Sequence, residues 1–224
     1  MNHEFPRCIL FDLDGTLVDS LPGIEYSVRK SFAACNLAAP VANLRHLIGP
    51  PIRTILSSAG NITDERALDC LEREFRASYD REGWLKSACF PYVHQVLRNL
   101  NEHGHRLFVV SNKPRHISLR VLEKEEVLNL FEAVLTRDSR SPGFAGKDEM
   151  IEALLRERSI RPDQCLIVGD TSDDAQAAAA LGIPFVWMTH GYGTLSQGTS
   201  SPVAYVLDGF SQFLTLMTKE PVLD

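Results

Sequence analysis

An α/β architecture, with a parallel sheet covered by helices on both faces and an all-helical insertion behind the first strand, is predicted by three observations. Short apolar runs at Cys8–Phe11, Leu107–Val110, Leu166–Val168 and Phe185–Met188 alternate with helical patterns, as strands buried on both faces do. Residues 19 to 88 carry helical periodicity and no strand candidate. Polar residues stop three of the runs, at Asp12, Ser111 and Asp170, and would gather at the sheet edge where open α/β sheets bind ligands.

In chain order, Cys8-Ile9-Leu10-Phe11 reads as a buried strand stopped by a turn at Gly15. Ile24, Val28, Phe32 and Cys35 then recur on one helical face. Leu47-Ile48 is cut off by Gly49-Pro50-Pro51, where Pro51 suits the first turn of a following helix. Asp64 is a candidate N-cap for a helix with Leu68, Leu71, Phe75 and Tyr79 in one stripe. Phe90-Pro91 opens a helix through Leu100, which Gly104 ends. The second strand stops at Ser111-Asn112-Lys113-Pro114, and a helix follows over 115–124. Ala133–Leu135 is a short third strand, and Lys147 precedes a helix with Met150, Ile151, Leu154 and Leu155 inward. Leu166–Val168 ends in Gly169-Asp170, before an alanine-rich helix through Ala180. After Phe185–Met188, residues 191–202 read as loop and Ala204–Val206 as an edge strand. A last helix places Phe210, Phe213, Leu214 and Met217 inward. The expected organisation is a Rossmann-like core from 1–18 and 89–224, with a helical cap domain over 19–88 between.

Composition narrows the function classes. The 224 residues carry a formal net charge of −6, which argues against a general nucleic-acid footprint. No apolar run approaches the roughly 20 residues that span a bilayer. Met1–Arg7 lacks the basic and apolar regions of a signal peptide. Five scattered cysteines without CxxC spacing are expected as reduced thiols in a cytoplasmic protein.

The polar strand ends carry the chemistry. Asp12 and Asp14, Ser111 and Asn112, Lys147, and Asp170 and Asp174 follow separate segments of one sheet. Any of them alone would be a turn, a cap or a solvated lysine. Together they put several carboxylates in one place, which cannot share a dry pocket uncompensated. A hard divalent cation with oxygen ligands solves that, and Mg²⁺ takes carboxylates, waters and a substrate phosphate. Lys147 adds a fixed positive charge, and Ser111 a hydroxyl suited to phosphate oxygens. Phosphoryl transfer requires little beyond such positioning and neutralisation. The phosphate loop GxxxxGK[ST] does not occur.

These motifs resemble those of the haloacid-dehalogenase-like phosphatase superfamily, and within it the phosphoglycolate-phosphatase-like branch. The residues that carry the resemblance are Asp12-Leu13-Asp14-Gly15-Thr16, Val110-Ser111-Asn112-Lys113, Lys147 and Gly169-Asp170 with Asp174, together with Gly49-Pro50-Pro51 and Gly191-Tyr192-Gly193. The resemblance implies a Mg²⁺-dependent phosphatase of small phosphorylated metabolites, with 2-phosphoglycolate as leading substrate. It implies Asp12 as nucleophile and Asp14 as general acid and base. It implies Asp12, the Asp14 backbone carbonyl, Asp170 and Asp174 around the metal, and Ser111, Asn112 and Lys147 around the phosphate. Asp148 stands where many relatives have proline after the lysine. Lys113 is expected at the rim, His190 near the site, and Arg53 in the insertion as a specificity candidate, with Arg45 a second. A sugar phosphomutase or pyrophosphatase of the same superfamily shares these motifs, as does a non-catalytic binding protein on this fold.

Overall fold

The computed structural model describes residues 6–40, 43–194 and 203–218. Six strands form one parallel sheet in the order β5-β4-β1-β6-β7-β8. They are β1 (Cys8–Phe11), β4 (Arg106–Ser111), β5 (Ala133–Thr136), β6 (Cys165–Gly169), β7 (Phe185–Met188) and β8 (Val203–Leu207). Phe11 lies level with Val109 on one side and Val168 on the other. Asp12, Ser111 and Asp170 therefore leave the sheet within about one residue of the same level, since neighbouring strands keep register.

Continuous apolar runs form β1, β4, β6 and β7 because both faces are covered, whereas the edge strand β8 leaves Tyr205 and Val206 exposed. Ile9, Phe11, Val109 and Val168 join one buried cluster, while Cys8, Leu10, Phe108, Val110 and Ile167 join the other. The second cluster takes Met150, Ile151 and Leu154 of α6 (Lys147–Arg158) and Ala175 and Ala178 of α7 (Ser172–Leu181). The first takes residues of α4 (Val93–Glu102), α5 (Arg115–Lys124) and α8 (Phe210–Thr218). Each fully buried aliphatic side chain contributes roughly 1.5–3 kcal/mol. A polar residue on either face of β1 would therefore cost a substantial part of the net stability.

Between β1 and the rest of the sheet the chain makes α1 (Leu21–Ala34), α2 (Ile52–Gly60) and α3 (Glu65–Arg81). Their apolar stripes, with Val28, Phe32, Leu71 and Phe75, are continuous with the first sheet cluster. Asp64 caps α3 as expected, accepting from the Ala67 N–H at 2.8 Å. Two features depart from expectation. The chain enters and leaves this layer through an antiparallel pair, β2 (Val18–Asp19) with β3 (Ala88–Cys89), and two-residue strands carry no periodicity to read. The expectation of five reduced thiols is corrected: Cys35, just past α1, and Cys70 in α3 form a disulfide with Cα atoms 6.2 Å apart. Packing of α1 on α3 joins them, which separation along the chain does not reveal. Cys8, Cys89 and Cys165 remain free thiols. The loop expected over 191–202 is described to Thr194, and the side chain of Met217 lies outside the described set. Among the described residues no helix is long and apolar enough to cross a membrane.

Candidate active site

Asp12 sits one residue beyond β1, its N–H still donating to the Val168 carbonyl at 2.9 Å. It is 6% exposed, so its carboxylate needs a partner. Lys147, the first residue of α6, supplies it: the buried ammonium donates to Asp12 Oδ1 at 2.6 Å and to Asp174 Oδ1 at 2.5 Å. Asp174 is held in turn by a capping box at the start of α7, accepting from the Thr171 N–H at 3.0 Å and from its hydroxyl at 2.5 Å.

Asp170, one residue past β6, is fully buried. It accepts from the Thr16 hydroxyl at 2.8 Å and the Tyr192 N–H at 2.7 Å. The Gly191-Tyr192-Gly193 segment fits against it only because a side chain is missing: a Cβ on Gly191 would lie 2.2 Å from the Asp170 Cβ. Gly15, at φ +89°, makes the turn that lets the first loop pass the same carboxylate. Carboxylate oxygens of Asp12, Asp170 and Asp174 all lie within 4.8 Å of one another.

The electrostatics follow from burial and crowding. Burial pushes the Asp12 carboxyl well above its usual range, against the pull of Lys147, and Asp174 and Asp170 push it further. Burial and then Asp174 raise Asp170 to about 6. Burial works against the Lys147 ammonium, but Asp12 and Asp174 outweigh it and hold the proton tightly. Three buried carboxylates facing one lysine leave surplus negative charge among hard oxygen donors. That donor set fits a hard divalent cation.

Asp14 pairs with Lys113, whose ammonium donates to both its carboxylate oxygens at 2.8 and 3.1 Å. Lys113 also bonds the Tyr79 hydroxyl of α3 at 2.8 Å. The expectation of a rim residue is corrected: Lys113 is 8% exposed, because α3 covers it. Asp14 keeps its ammonium charged despite burial.

Ser111 is buried at the end of β4, its hydroxyl accepting from the Lys113 N–H at 3.2 Å. Asn112 beside it donates to Asp173 at 2.8 Å and to the Gly49 carbonyl at 3.3 Å, tying the core to the inserted layer. A cavity of about 140 Å³ lies between sheet edge and inserted helices, lined by Asp12, Asp14, Ser111, Asn112, Lys113 and Lys147 on the sheet side.

Arg53 does not join this group. It is bound to Glu65, Asp69 and Glu72 and is not among the residues lining the cavity. Arg45 donates to the carbonyls of His190 and Gly191 at 2.6 and 2.8 Å. His190 packs on Phe90 and meets the Thr16 carbonyl at 3.1 Å. Tyr192, named in the sequence only as part of Gly191-Tyr192-Gly193 and given no role there, has a hydroxyl that bridges the N–H groups of Ser20 and Leu21 to the Asp19 carboxylate at 2.7–3.0 Å. Its only signal was the flanking glycine pair.

Three comparisons bear on this arrangement. A family model described as haloacid dehalogenase-like hydrolase matches residues 9–188. The phosphoglycolate phosphatase of Haemophilus influenzae is 33% identical over 227 residues, covering 97% of this chain and 100% of that protein. The tyrosine-protein kinase PtkA of Mycobacterium tuberculosis is 32% identical over 191 residues, covering 85% of this chain, which spans only 64% of PtkA. Among solved structures, a predicted phosphoglycolate phosphatase from Haemophilus somnus superposes with a TM-score of 0.84 at 26% identity, covering 96% of this chain and 99% of that one.

Proposed function

This chain belongs to the haloacid dehalogenase-like hydrolases, and from that membership we propose that it is a Mg²⁺-dependent phosphatase of small phosphorylated metabolites. The observation that carries the reading is Asp12: a buried carboxylate opening on the cavity, gripped by Lys147, with Asp170 and Asp174 beside it and Asp14 two residues on. The names of relatives make 2-phosphoglycolate the first substrate to test.

In this mechanism an Asp12 carboxylate oxygen attacks phosphorus and the bond from phosphorus to the alcohol oxygen breaks. Asp14 gives its proton to the leaving alkoxide, releasing the alcohol. Water then attacks the aspartyl phosphate while Asp14 takes a proton from it. Inorganic phosphate leaves and Asp12 is regenerated. Lys147 and Ser111 steady the phosphate oxygens, with Asn112 close by. Lys113 keeps the Asp14 carboxylate aimed into the cavity. Mg²⁺ held by Asp12, Asp170, Asp174 and the Asp14 carbonyl would neutralise charge on the transferring group. The helices of residues 19–88 act as a cap over a core of 1–18 and 89–224 and exclude water.

The test is phosphate release from a panel of monoesters, pyrophosphate and sugar phosphates in Mg²⁺, with isomer formation followed alongside. Asp12→Asn is expected to lose at least about 10³-fold in kcat, with its thermal transition retained. Near-normal turnover by Asp12→Asn would remove the nucleophile assignment, and isomerisation without net release would point to a mutase.

A further inference from the structure

The relatives' names direct attention to an alcohol that carries a carboxylate, yet the walls of this cavity are built for something else. Opposite the sheet edge, Ile24, Ile48, Ile52, Ile55 and Phe75 from the inserted layer, with Ile117 from α5, form an apolar wall, beside the polar Arg76, Tyr79 and Asp80 of α3. Four of the six apolar residues, Ile24, Ile48, Ile55 and Phe75, are buried and belong to the cap. An ester bound through its phosphate at Asp12 and Lys147 would direct its alcohol portion at this surface.

A carboxylate on that alcohol would need a cation, and each of the three lining cations among the described residues already faces a carboxylate of the protein. Lys147 is held by Asp12 and Asp174, and Lys113 by Asp14 and Tyr79. Arg76 grips Glu72 through Nε and a terminal nitrogen, at 3.2 and 2.7 Å. Asp80 also lines the cavity and adds negative charge. A carboxylate placed here would give up water and have to compete with Glu72, Asp14 or Asp12 for one of these cations, beside the negative Asp80, whereas an apolar group meets the apolar wall without that cost. The cavity of about 140 Å³ is shared between the phosphate at the sheet edge and the alcohol portion against this wall.

We propose that the pocket selects phosphate monoesters of apolar alcohols over esters whose alcohol bears a carboxylate. This specificity rests on the phosphatase reading above. The phosphorus chemistry is unchanged: the alcohol leaves with one proton and water supplies the oxygen of inorganic phosphate.

The experiment compares kcat/KM for benzyl phosphate and 2-phosphoglycolate, both alkyl esters, in wild type and in Ile52→Arg, with Ile52→Leu as the packing control. Calorimetric binding of benzylphosphonate and phosphonoacetate, which cannot be hydrolysed, runs alongside. Benzyl phosphate is expected to be preferred by about tenfold or more. Ile52→Arg, which sets a new cation on the wall, should shift the ratio towards 2-phosphoglycolate, while Ile52→Leu leaves it near the wild-type value. Equal or better use of 2-phosphoglycolate by wild type would overturn the proposed specificity and leave the phosphatase reading standing. Failure to hydrolyse any ester, with benzylphosphonate still bound in preference to phosphonoacetate, would overturn the phosphatase reading and support the ligand class. No hydrolysis and no such binding preference would overturn both.

Discussion

Asp14, the carboxylate assigned to proton transfer, is held in place by a residue that the sequence alone misplaces. Lys113 stands next to the strand-end motif, and its neighbours in the chain suggest an exposed turn. Its ammonium instead joins Asp14 to Tyr79, which comes from α3 thirty-four residues away. Such a contact depends on how the inserted layer seats, and no local spacing encodes it. Asp12, Lys147, Asp170 and Asp174 were legible for the opposite reason: each ends a strand or opens a helix, where backbone geometry aims the side chain. Lys113→Met removes the cation from a buried pair, and the Asp14 carboxylate, 19% exposed, recovers some water. The expected loss is therefore at the low end for such pairs, about 3 kcal/mol, with kcat down about 10²-fold. Tyr79→Phe keeps the ring stacked on Phe75 at 5.3 Å and should cost only about 1 kcal/mol. Thermal denaturation and kcat on both variants check this. A Lys113→Met enzyme with wild-type kcat would deny Lys113 its positioning role.

At the scale of elements, strands were readable wherever three or more apolar residues run together; in the central strands burial on both faces leaves no room for alternation. The pair β2 and β3 was not, since Val18–Asp19 and Ala88–Cys89 are too short for any period to register. The same limit hid the disulfide. Cys35, just past α1, and Cys70 of α3 come together only once α1 packs on α3. Those helices also carry Ile24 and Phe75 of the cavity wall, so the crosslink braces that wall. Closing a loop with a separation of 35 residues removes unfolded-state freedom equivalent to about 4 kcal/mol in the chain-entropy account. Cys70→Ser should therefore unfold more easily by up to about that amount. Dithiothreitol should lower the melting temperature of the wild type towards that of the variant and leave the variant unchanged. Identical melting of wild type and variant in the absence of reductant would mean that the crosslink adds nothing.

For the whole molecule, the sheet edge gathers more negative charge than its own lysine neutralises, and stability becomes linked to whatever supplies the remainder. Charge counting along the sequence already called for a cation; the structure adds that Asp12, Asp170 and Asp174 are buried together. Burial first, and then Asp174, raise Asp170 to about 6 from 3.8. For an acid raised in this way the folded state holds a proton that the unfolded state has released. Its contribution is present below the unfolded value and is lost as pH rises through about 6. A divalent cation replaces that proton, and protons compete with it for the same oxygens. Mg²⁺ at a hundred times its Kd is worth about 2.7 kcal/mol, roughly 5–10 °C in melting temperature for a chain of this length. That increment should appear near pH 7.5 and shrink towards about pH 5 as the carboxylates protonate. Asp170→Asn should flatten the decline in metal-free stability between about pH 4 and 6 and reduce the Mg²⁺ increment. A Mg²⁺ increment equal at both pH values, or intact in Asp170→Asn, would mean that the cation binds somewhere other than these carboxylates.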